Sequence, residues 1–157
     1  MRDIPWKRNN PHRITEAELA TLEERFGFRM PEDLRHFYLQ HNGGILPNGT
    51  VLSPERCKLT DFLAVKYPLM EHIPVMDTLL EWQEMDGFIP MHYIPFCDDE
   101  AGDSYYIRVD EAGYGKVYYI FSEFLDDFLA DPEGDGLIAG SFTEFLEKLH
   151  FPEKDQN

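Results

Sequence analysis

The sequence is poor in cysteine, in long apolar runs and in basic residues, and each shortage excludes a class of protein. The two cysteines, Cys57 and Cys97, have no C-x-x-C spacing and no histidines at zinc-finger intervals, so neither a disulfide framework nor a zinc site is encoded. Two free thiols are expected. No apolar run approaches the length needed to cross a bilayer, and residues 1–8 carry charges without the apolar stretch of a secretory leader. A cytoplasmic location without membrane contact is therefore expected. Also missing are a G-x-S-x-G elbow, a phosphate-cradling glycine loop and an H-E-x-x-H helix, so nothing positive points to an enzyme and no cofactor is expected.

The shortage of positive charge is uneven. Against 30 acidic residues stand 14 basic ones, for a net charge of −16. Residues 1–58 carry 9 basic and 8 acidic groups, whereas residues 59–157 carry 5 and 22. The excess thus lies wholly in the later part. Such a surface repels nucleic acid and anionic membranes and attracts a basic partner. It also serves solubility, and composition alone leaves both readings open.

What is present is enough for a core. Hydrophobic residues make up 43% and aromatics 14% of 157 residues, which argues against disorder and fits one domain that buries about two-thirds of its unfolded surface. The chain centres on residues 94–121. Tyr105, Ile107 and Val109 alternate with Tyr106, Arg108 and Asp110, the pattern of a half-buried strand. After the loop of residues 111–115, with its two glycines, residues 116–121 repeat the β-branched and aromatic composition, which predicts an antiparallel hairpin. Residues 91–97 supply a third strand, with Pro95 at an edge, a bulge or the strand's start. Residues 97–103 read as an acidic turn.

Helices are expected to cover this sheet. Thr15 and Glu18 form a capping box, Ile14 and Leu19 a hydrophobic staple, and Gly27 a left-handed stop, so a helix opens the domain. Pro31 leads into a second helix carrying Leu34, Phe37, Tyr38 and His41, which ends at Asn42, Gly43 and Gly44. His41 is read as a partly buried, hydrogen-bonded histidine at the helix end rather than a ligand. A short strand is expected over residues 50–52, another over 61–65, and a helix over 74–85 with Leu79, Trp82 and either Val75 or Met76 inward. Residues 123–129 fit a short helix or an ordered loop, and residues 131–136 a polar turn. Ser141 and Glu144 form a second capping box before a last helix with Phe142, Phe145, Leu146 and Leu149. Residues 152–157 read as a frayed tail.

These features resemble the SUKH superfamily. The run from Gly27 through Pro31 and Asp33 to Leu34, then Asn42-Gly43-Gly44, is similar to its opening G-x-x-x-P-x-D/E-h and N-G-G pattern. Ile94-Pro95-Phe96, Gly102-Asp103 and Val117-Tyr118 resemble its central strand motifs, and the run from Ser141-Phe142 to Phe145-Leu146 its closing helix. The blocks occur in order and span residues 14–149. Two tracts depart from the pattern: residues 49–70 match no motif, and the insert of residues 121–135 is more acidic and aromatic. The resemblance implies an α+β domain with a mainly antiparallel sheet of four to six strands, and no catalytic chemistry. It further implies an immunity protein that binds a bacterial polymorphic or contact-dependent toxin, often a nuclease, or else a scaffold like the relatives that regulate cell-wall synthesis.

The expected contacts are carboxylates, namely Asp98, Asp99, Glu100 and Asp103 on the acidic turn, with Glu123, Asp126 and Asp127 on the insert. Opposite charge speeds encounter with a basic partner, and desolvated aromatics hold the complex. The turn does not fit a calcium loop, because glycine misses the sixth position counted from Asp98 or Asp99. Cys97 beside these acids is a poor nucleophile, since negative charge raises a thiol's pKa. The expectation is therefore a monomer that occludes a basic toxin domain. Reversing Asp98, Asp99 and Glu100 to lysine is expected to slow association while preserving the fold.

Overall fold

Among the described residues, seven short strands, each paired antiparallel with its neighbours, form the main sheet. A computed structural model describes residues 2–53 and 58–152 of the chain. The architecture is α+β, with more strands than the sequence suggested. The central hairpin is β6 (Ser104–Arg108) and β7 (Val117–Ile120), with Ile107 opposite Val117 and Tyr105 opposite Tyr119. Gly115 in its loop has φ 87°, the left-handed conformation that glycine adopts without strain. Next to β6 lies β5 (Tyr93–Asp99). Pro95 sits where the β5–β6 register shifts, so a bulge accommodates the residue that cannot donate to the ladder.

β5 is longer than the sequence suggested. Cys97, Asp98 and Asp99 belong to the strand, paired on one side with Phe62, Asp61 and Leu59 of β4 (Leu59–Phe62), and the first two on the other side with Tyr105 and Ser104. The acidic turn is thus confined to residues 100–103. Beyond β4, the two-residue strands β2 (Gly44–Ile45) and β1 (Arg8–Asn9) complete that edge. A separate ribbon joins β3 (Val51–Leu52) to β9 (Leu149–His150). Leu149 therefore lies in β9 rather than on the last helix. Cys57 and the last five residues of the expected tail lie outside the described residues.

Helix α1 (Glu16–Phe26) starts at the expected capping box, with the Thr15 amide donating to Glu18 Oε1 at 3.0 Å and the Glu18 amide to Thr15 Oγ1 at 3.1 Å. Ile14 and Leu19 are both buried. Helix α2 (Glu32–Gln40) follows with Pro31 as its N-cap. The glycine-rich stop after it holds the helix layer on the sheet. Buried Asn42 accepts the Val65 amide and donates to the carbonyls of His12 and Lys66. Gly43, at φ 76°, brings its Cα so close to β4 that a Cβ would lie 2.6 Å from the Phe62 carbonyl oxygen. His41 packs its ring on Trp6 and Phe37 at 5.6 and 5.9 Å. Its buried Nδ1 has no partner among the described residues, so aromatic packing takes the place of the expected hydrogen bond.

The main core lies between the sheet and helices α1, α2 and α6 (Phe142–Glu147). Phe37, Phe62, Phe96, Phe142 and Phe145 meet there in mostly edge-to-face and tilted pairs, with Phe62–Phe96 and Phe142–Phe145 stacked, and with centroids 5.0 Å apart for Phe37 and Phe142 and 5.1 Å for Phe96 and Phe145. That is the geometry aromatic quadrupoles favour. Ser141 Oγ accepts the Glu144 amide as expected, but the Glu144 carboxylate takes the amide of Gly140 rather than that of the cap residue.

Helix α3 (Met76–Asp86) buries Met76, one of the two expected alternatives, but with it Leu80 and Gln83 rather than Leu79 and Trp82, and Trp82 is 52% exposed. The reason is polar. Gln83 Nε2 donates to the carbonyls of Pro90 at 3.1 Å and Tyr93 at 2.9 Å, a demand that apolar periodicity does not record. On the opposite side of the sheet from the main core, Tyr93, Tyr118 and Ile120 pack with Phe128 of α4 (Leu125–Ala130). The insert is therefore ordered as a 3-10 turn (Ser122–Phe124), α4 and a one-turn α5 (Pro132–Asp135), which return the chain to β8 (Leu137–Ala139).

Candidate functional site

The seven expected carboxylates divide by burial. Asp99 is 5% exposed. Its Oδ1 accepts the amides of Ala101 and Asp103 at 3.0 and 2.9 Å, and its Oδ2 accepts the Tyr119 hydroxyl at 2.6 Å. It therefore closes the turn and fixes a tyrosine rather than facing a partner. Asp98, opposite Asp61 on β4, accepts the Ser104 hydroxyl at 2.6 Å. Burial first, then the negative charges of Asp61 and Asp99, push the Asp98 carboxyl up to about 6, against the opposing effect of the Ser104 bond. Asp61 is raised as well, also by burial.

A lysine at position 98 or 99 would thus remove part-buried hydrogen bonds of the strand and its turn. Reversing Asp98, Asp99 and Glu100 together would therefore be expected to destabilise the strand end, whereas the sequence alone led to the expectation of an intact fold. Burial, followed by the charges of Asp61, Asp98 and Asp99, raises the Cys97 thiol well above its ordinary value, which keeps it protonated and inert. Among the described residues no three histidine, cysteine or acidic side chains are grouped to hold a metal ion.

Glu100, Glu123, Asp126 and Asp127 are exposed. Asp103 ties the turn to the insert, because its Oδ1 accepts the Ser122 amide at 3.1 Å. The β5–β6 turn and the insert are thereby brought to one end of the sheet. Beside them opens a cleft of about 630 Å³ whose apolar side is Tyr119, Phe121 and Phe124 and whose acidic side is Asp127, Asp131 and Asp135. Phe121 and Phe124 stack with centroids 5.4 Å apart and stay largely exposed. Glu123 and Asp126 flank the cleft in sequence without lining it.

Sequence reasoning missed Asp131 and Asp135, which it read only as turn formers. The available signal was the spacing of four between Asp127, Asp131 and Asp135 next to the Phe121 and Phe124 pair. Asp131 has a second task, as its side chain caps α5 by accepting the Gly134 amide. No lysine or arginine occurs anywhere in residues 117–147, so no cation of the cleft's own elements competes for these carboxylates. The arrangement offers a flat aromatic surface and negative charge side by side, suited to holding a cationic side chain by charge and by its contact with a ring face.

No helix among the described residues is long and apolar enough to cross a membrane. No curated protein matches the chain significantly in sequence. The pattern that defines the SMI1 / KNR4 family (SUKH-1) matches residues 13–148, from the start of the capped first helix to the end of the last. The chain belongs to the SMI1 / KNR4 family (SUKH-1).

Proposed function

We propose that this protein is an immunity protein, which binds a cognate bacterial toxin domain, a basic nuclease being the class that fits best, and neutralises it by occlusion. The family supports this reading, since its members are generally non-catalytic immunity or regulatory proteins. The single observation that carries it furthest is the cleft in which Asp127, Asp131 and Asp135 face Tyr119, Phe121 and Phe124. Exposed aromatics supply the desolvated contacts that dominate binding energy, and the surrounding negative charge steers a basic partner into register. Contacts are assigned to Glu100, Asp103, Glu123, Asp126 and Asp127, with Asp98 and Asp99 acting from within the sheet.

Occlusion needs no chemistry of its own. A nuclease surface that recognises phosphates carries lysine and arginine, and an acidic face that covers it competes with the nucleic acid directly. The test is a tagged pull-down from the source organism followed by expression of the captured partner. A single basic domain that is bound at one-to-one stoichiometry and degrades nucleic acid until this protein is added supports the proposal. Capture of several partners without such activity contradicts it.

A further inference from the structure

A second groove lies on the other side of the insert, and its chemistry specifies what it receives. It measures about 360 Å³ and runs between α3 and the start of α4, over Pro95, Ser104 and Tyr106 of the sheet. Trp82 and Phe88 stand on its α3 side, 52% and 70% exposed, with Leu125 across from them. Next to them Met85 is 78% exposed. Large apolar side chains gathered at one helix end and left in water mark an interaction surface rather than a solvated one.

Its charge has one sign. Every lining residue falls within residues 67–107 or 117–147, and neither stretch contains a lysine or arginine. Asp86 lines the groove, and Ser104 on the floor donates its hydroxyl to Asp98. We propose that this groove seats a large apolar side chain followed by a lysine or arginine from the protein this chain binds, with the cation held by Asp86, the one charged residue of its lining. The inference deepens the immunity reading and rests on it for the identity of the partner. The floor of the groove lies in a negative field: burial first, and then the charges of Asp98, Asp103 and Asp86, shift the Tyr106 phenol upward. Those carboxylates belong to β5, the following turn and α3, so the field does not come from a single local run of acids.

The probes are acetyl-Phe-Arg-amide and acetyl-Phe-Glu-amide, titrated into the full chain and followed by amide NMR. The Phe-Arg probe is expected to move the resonances of Gln83, Ser104, Tyr106 and Leu125, and the Phe-Glu probe to bind about tenfold more weakly. Trp82→Ala combined with Phe88→Ser should weaken the Phe-Arg probe about tenfold while leaving distant resonances in place. Absent shifts at these amides, equal binding of the two probes, or unchanged binding by the double variant would overturn the proposal. A toxin captured as above separates the two readings. If it binds the double variant with unaltered affinity, the groove is wrong and the immunity role stands. If no toxin exists, the peptide result still decides the groove.

Discussion

Asp98 is the residue whose environment most opposes its charge. Its carboxyl is raised from 3.8 to about 6, first by burial and then by Asp61 and Asp99. A folded-state value above the unfolded one means that the native state binds the extra proton between those two pH values. Stability then falls as pH rises through that interval and stays reduced above it. Asp98→Asn keeps an acceptor for the Ser104 hydroxyl and removes the charge. It should raise stability at pH 7.5 by about 2 kcal/mol and flatten its decline between about pH 4 and 6. Urea unfolding across that range checks this, and a variant less stable than the parent at pH 7.5 would contradict it. Asp99 matters instead through the three hydrogen bonds its carboxylate accepts. Asp99→Ala should cost about 3 kcal/mol by leaving two amides and the Tyr119 hydroxyl without their acceptor, as read by thermal or urea unfolding. It should also loosen Tyr119 in the aromatic cleft.

At the scale of elements, α3 shows how one polar side chain sets a helix's orientation. Gln83→Ala leaves the Pro90 and Tyr93 carbonyls without their donor and should cost about 1–3 kcal/mol. Trp82→Ala, one position away and half-exposed, should change stability by no more than about 0.5 kcal/mol. A larger loss for Trp82→Ala than for Gln83→Ala would place the tryptophan in the core after all.

This pair also marks where the sequence was legible. The capped start of α1, the stop at Asn42-Gly43-Gly44 and the β6–β7 hairpin were readable because their signals are local: a cap and its partner three residues on, glycines at positive φ, and strict alternation. The face of α3, the extension of β5 through Asp99 and the two-residue strands β1 and β2 were not. Each is decided by a partner outside the local pattern, such as the Tyr93 carbonyl for Gln83 or Asp61 of β4 for Asp98. The candidate site was half legible for the same reason. Asp127 and the exposed acids of the insert were found from composition, whereas the burial of Asp98 and Asp99 follows from strand pairing alone. Asp131 and Asp135 joined the cleft only once α4 and α5 had folded.

The whole molecule separates its charge by function. Cations of the helix layer that covers the main core are paired with acids, as Arg35 is with Glu23 and Arg25 with Asp77. At the far end of the sheet, residues 117–147 contain no lysine or arginine, and Lys116 beside them is paired with Glu133 of the insert. A field of one sign over that end raises the encounter rate with a basic partner, and salt screens it over roughly 8 Å at physiological ionic strength. Replacing exposed Glu123, Asp126 and Asp127 by lysine should therefore slow association with the captured toxin about tenfold or more at low salt. The dissociation rate should change much less, and the difference between variant and parent should shrink at high salt. Stopped-flow association measured over a salt series reads all three, and an association rate independent of these residues would remove the insert from the contact surface.

The most direct measurement of the central claim is growth. The toxin gene captured with this protein is induced in a bacterial host alone, with the parent protein, and with the variant carrying both the three insert lysines and the Trp82→Ala and Phe88→Ser changes. The account predicts arrest with the toxin alone, full growth with the parent, and arrest again with the folded variant. Growth unaffected by the captured partner, or arrest that the parent protein fails to relieve, would contradict it.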